Sequence, residues 1–121
     1  MIVLVIRNWA DMDYSKEMKD IFDQIAAFEK AGKNPAYLYK KQIGILEKAH
    51  EDLINNAKAQ GYDINSNLHI LELEIKQFTA MKQLAAKVNF PTDKYDRMIR
   101  EARVRVLGEE FVAQHFDNRL V

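Results

Sequence analysis

Glycine and proline are scarce in this 121-residue chain, and their positions decide what it can fold into. Four glycines and two prolines are all it has. Gly32, Pro35, Gly61, Pro91 and Gly108 cut it into helix-length pieces. Glycine enters the left-handed backbone region without a Cβ penalty, so Gly32 and Gly61 read as the residues just past two helix C-termini. Asn34-Pro35 reads as an N-cap followed by the first helical position, where proline has no amide to leave unsatisfied. Ser66 and Thr92 read as N-caps of two later helices.

The pieces carry helical periodicity. In residues 14–31, Met18, Ile21, Phe22, Ile25 and Phe28 recur at steps of three and four and form one stripe. In residues 35–60, Ala36, Tyr39, Ile43, Leu46, Leu53 and Ala57 do the same, with Leu38, Ile45, Ala49 and Ile54 widening the face. Gly44 falls on the polar side of this helix with no evident reason. Residues 67–89 hold two stripes, one of Leu68, Leu71, Ile75, Phe78 and Ala85, the other of Ile70, Leu73, Met81, Leu84 and Val88. A helix apolar on most sides is a central one that packs on several neighbours. Leu71-Glu72-Leu73-Glu74-Ile75 alternates like a strand, but the length of the segment and its Leu, Glu, Lys, Gln and Ala content favour helix. In residues 93–107, Tyr95, Met98, Ile99, Ala102 and Val106 face inward. Gly108 interrupts this helix, and Phe111, Val112 and Phe116 indicate a short terminal helix after it.

The expectation is therefore a single all-α domain, residues 1–121, built as a bundle of four main helices with a short terminal one. Residues 1–7 are ambiguous. Ile2, Val3, Val5 and Ile6 are β-branched and favour a short N-terminal strand, packed on the bundle or paired with a second copy. Ile2, Ile6 and Trp9 would also fit a helix stripe.

Composition excludes several classes of function. The 18 basic and 18 acidic side chains give zero formal net charge, which argues against a protein that coats polyanions. With no cysteine, there is no thiolate nucleophile, disulfide or Cys-ligated zinc. The glycines are too dispersed for a phosphate-cradling loop. Ser15, Ser66, Thr79 and Thr92 are the chain's hydroxyl nucleophiles other than tyrosine, and three of them stand at or next to expected helix starts, where capping explains them. The apolar run at residues 1–6 is too short for a signal-peptide core, and no stretch approaches a membrane span. A cytoplasmic protein with no membrane partner is expected.

Three groups of residues stand out. Glu47 and His50 form a single Glu-x-x-His pair, but His69 and His115 lack the matching glutamate, so neither a metal nor any other cofactor is expected. His50 itself lies inside the apolar face of residues 35–60, and Glu74 lies between the two stripes of residues 67–89. Burying either alone is costly, so the two are expected to meet if their helices form an antiparallel hairpin. Arg97, Arg100, Arg103 and Arg105 crowd the helix at 93–107. Asp93, Asp96 and Glu101 precede three of them by four residues, the order that favours intrahelical ion pairs, so a structural role is expected ahead of nucleic-acid contact. Tyr37, on a polar helix face, and Trp9, in a short polar connection, are the interface candidates.

The functional expectation is a small non-catalytic interaction module: an adaptor, regulator or inhibitor that occupies a partner protein's surface, with a homodimer as one form of it. The alternative is a helical DNA- or RNA-binding regulator acting through residues 93–107.

Overall fold

A computed structural model of the chain describes residues 15–117. The expected N-terminal strand and Trp9 lie outside the described residues. The elements are α1 (Ser15–Lys30), α2 (Ala36–Ala59), α3 (Leu68–Lys87), α4 (Asp93–Leu107) and α5 (Glu109–Val112), followed by a wide π turn at Ala113–Asp117. No strand occurs among the described residues. The four main helices and the short terminal one match the sequence periodicity.

Each helix packs antiparallel on the next: α1 on α2, α2 on α3, α3 on α4, with α5 folded back against α4. The central α3 explains its wide apolar girth by packing on both α2 and α4. Ile43, Leu71, Phe78, Met81, Leu84, Tyr95 and Ala102 form the main core between these three helices. Leu53, Ala57, Ile70 and Leu73 form a second cluster near the α2–α3 turn. Ile21, Ile25 and Leu38 join α1 to α2. Two expected core positions are exposed instead: Phe22 on α1 at 55% and Leu68 at 62%. Phe22 lies off the narrow α1–α2 contact line, and Leu68 is the first residue of α3, at the rim of the core.

The helix ends follow backbone hydrogen bonding. Gly32 and Gly61 have φ of 73° and 84°, as the punctuation predicts. In both turns the amide that follows reaches back into the helix: Lys33 N–H donates to Phe28 O at 2.8 Å, and Tyr62 N–H to Ala57 O at 3.0 Å. Asn89, with φ 60°, closes α3 in the same way, and Phe90 N–H donates to Ala85 O at 2.9 Å. The start of α3 differs from the sequence reading. Its N-cap is Asn67, whose side-chain oxygen accepts from the amides of His69 and Ile70, both at 3.0 Å. Ser66 instead donates its hydroxyl to Asp63, which organises the preceding turn. Asn34 accepts from Ala36 N–H at 3.0 Å, so it satisfies an orphan amide from one residue further out than expected. Thr92 stands at the N-cap of α4 without a side-chain cap bond.

Candidate functional site

The antiparallel α2–α3 hairpin sets residue 50 beside residue 74. His50 Nε2 lies 2.8 Å from Glu74 Oε2, and the His50 ring lies against Phe78, with centroids 4.7 Å apart. Glu74 is 1% exposed, in the middle of the chain's main packing helix. A carboxylate there is affordable only with strong partners. The second partner is Arg105 from α4. Its Nη2 donates to Glu74 Oε1, its Nη1 reaches Oε2 at 3.4 Å, and its Nε donates to the Ile64 carbonyl at 3.4 Å. One guanidinium thus ties α4 to α3 and to the α2–α3 turn.

Burial raises the pKa of Glu74, but the His50 and Arg105 hydrogen bonds and the Arg105 charge outweigh it and hold the carboxyl below its ordinary value. The shift favours the ionised carboxylate, which accepts hydrogen bonds and donates none. A general base works best with a pKa near the operating pH, and Glu74 is pushed away from it. The cluster borders a cleft of about 330 Å³, with Met98, Glu101 and Ala102 among its other lining residues. No serine or threonine is among them. The arrangement is a three-helix electrostatic clamp.

The sequence reading grouped Arg105 with the arginines of a nucleic-acid alternative and paired it with Glu101; the structure turns it inward onto Glu74. The expected Asp96–Arg100 pair is also replaced by pairs between elements. Asp96 accepts from Lys82 of α3 at 2.7 Å. Arg100 reaches Glu109 and Asp117, both at 2.7 Å, and these hydrogen bonds hold Asp117 below the ordinary aspartate value. Arg103 lies over the Phe116 ring, 4.2 Å from its centroid. Arg97 is exposed. Three of the four arginines therefore bind the α3–α4 unit and the C-terminal turn together. Acids that lie distant in sequence outcompete those on α4 because the chain folds back over it.

Tyr37 lies at the other end of the hairpin, where the C-termini of α1 and α3 meet the N-termini of α2 and α4. It is 62% exposed, and Phe90, in the α3–α4 turn at the same end, is 40% exposed. Lysines lie over the rings. Lys41 is 5.4 Å from the Tyr37 centroid, Lys40 is 4.9 Å from Phe90, and Lys87 is 5.6 Å from Tyr39. Linear spacing does not mark this end as a unit, because its residues come from four separate segments.

Among the described residues, no group of three His, Asp or Glu side chains is placed to hold a metal ion. No described helix is long and apolar enough to cross a membrane. No protein-family model matches the chain, and no curated protein or solved structure matches it either.

Proposed function

We propose that the protein is a small non-catalytic interaction module that occupies a partner protein's surface, working in the cytoplasm. The observation that carries this reading is the end of the helical array bearing Tyr37 and Phe90. Two large rings stand open to solvent there, Tyr37 in the first turn of α2 and Phe90 in the α3–α4 turn, while the three members of the polar cluster satisfy one another. Tyrosine is among the residues that anchor interfaces, because a rigid ring buries much area at little entropic cost. The chain's lack of cysteine suits a reducing compartment.

The experiment is site-specific photo-crosslinking in the native host, with the probe at position 37 and a control probe at Lys58. Lys58 is exposed near the C-terminus of α2, at the opposite end. A discrete crosslinked species from position 37, absent from position 58 and reduced by Phe90→Ala, supports the reading. Equal, diffuse crosslinking from both positions overturns it. A species of twice the chain mass identifies the partner as a second copy.

A further inference from the structure

The zero net charge conceals a division along the helical array. At the end that carries Tyr37 and Phe90, Lys30, Lys33, Lys40, Lys41, Lys87 and Lys94 stand against Glu29, Asp93 and Asp96, the last of these paired with Lys82. At the opposite end, described acids such as Glu51, Asp63, Glu72, Glu109 and Glu110 stand with fewer lysines, Lys16, Lys19 and Lys58. Two helix N-termini and two C-termini meet at the lysine end, so their dipoles oppose one another and the lysines set the field.

We propose that this lysine–aromatic end docks an acidic, partly apolar segment of a partner protein. The inference rests on the interaction-module reading and names the chemistry of the partner. Five lysines lie over rings here: Lys40, Lys41 and Lys87 as above, Lys33 at 5.7 Å from Phe28, and Lys94 at 5.6 Å from Tyr95. An ammonium over a ring keeps donors pointing away from it, and those donors suit carboxylates. The uncovered parts of Tyr37 and Phe90 offer apolar surface at the same end. The same geometry disfavours a single-stranded nucleic acid. Such ligands stack bases on open ring faces, and here the faces already hold cations, which stacking would displace. The charges are mostly lysines, point donors without the fork that grips phosphate bidentately. Field complementarity would steer an acidic segment to this end and away from the acidic one.

The test is fluorescence anisotropy of the intact protein with a labelled synthetic peptide of alternating Glu and Leu. The Gln–Leu version of the peptide and a labelled oligo-dT serve as comparisons. Binding of the Glu peptide that weakens with added salt is expected. K40E/K41E/K87E should weaken it roughly tenfold to a hundredfold, with the helical fold retained by circular dichroism, since each exposed charge pair is worth up to about 1 kcal/mol. The control K58E should leave it intact. The proposal is overturned if the peptide fails to bind at low salt, if the triple reversal leaves binding intact, or if the Gln version binds equally well. Tighter oligo-dT binding lost on the same reversal would also overturn it, in favour of nucleic acid. If the peptide fails while position 37 still crosslinks a partner, the acidic-segment proposal falls and the interaction-module reading stands. If both fail, both fall.

Discussion

Replacing Arg105 with methionine should destabilise the protein more than replacing the buried carboxylate it serves. Removing one member of a buried ion pair costs about 3–5 kcal/mol when the other charge stays trapped. In Arg105→Met, Glu74 stays trapped, because it is 1% exposed at the centre of α3. His50 remains as one partner, at 2.8 Å, which reduces the expected cost to about 2 kcal/mol. For a chain of this length that is a fall in melting temperature of about 6–10 °C. In Glu74→Leu the orphaned groups fare better. The side chains of Arg105 and His50 are 29% and 24% exposed and can turn toward water, so the cost should be below about 1 kcal/mol. The double variant should then resemble Glu74→Leu alone. The pH dependence adds a second readout. Glu74 has a folded pKa below its unfolded one, so its stabilising contribution is complete above about pH 4.5 and is lost as pH falls through the folded value. Arg105→Met removes much of that depression, so its deficit relative to the parent should narrow below about pH 4.5. Thermal melts of the four proteins from neutral to acid pH make the comparison. Additive losses, a Glu74→Leu variant less stable than Arg105→Met, or a deficit constant with pH would refute the reasoning.

Two further outcomes follow from local chemistry. Gln42 is fully buried on α2 with neither amide atom hydrogen-bonded, so Gln42→Leu should raise stability by about 1–2 kcal/mol in denaturant titration. Gly44 lies mid-helix in the wall of an open cleft between α1 and α2, and an added Cβ there meets nothing within 4 Å. Gly44→Ala should therefore add about 1 kcal/mol, the ordinary helix-propensity difference, in the same titration.

The helices were legible in the sequence because their signals are local. Apolar spacing of three and four residues and the left-handed glycines 32 and 61 act within a turn or two, and no distant contact overrides them. The approach of His50 to Glu74 was legible for a related reason: two polar residues on apolar faces of adjoining helices, about equally far from one turn, have few other places to go. Arg105 was misread because Glu101 offered a plausible partner four residues away, and linear spacing does not show that α4 turns this arginine onto α3. Arg100 was misread in the same way, since Asp117 reaches it only after Gly108, at φ 93°, folds the terminal turn back. Gln42 gave no warning, because its burial depends on how neighbouring elements cover that side of α2. The lysine end escaped a reading that summed charge over the chain, since antiparallel packing sorts charges by position along the helices and not along the sequence.

The polar cluster ties α2, α3 and α4 together, and the lysine–aromatic end is the proposed docking surface. Crosslinking from position 37, measured side by side in K40E/K41E/K87E and in the Glu74→Leu/Arg105→Met double variant, tests this division most directly. The end variant should stay folded and lose the crosslinked partner, while the cluster variant retains the partner whenever it is folded. Retention of the partner by the end variant, together with its loss from a folded cluster variant, would contradict the account.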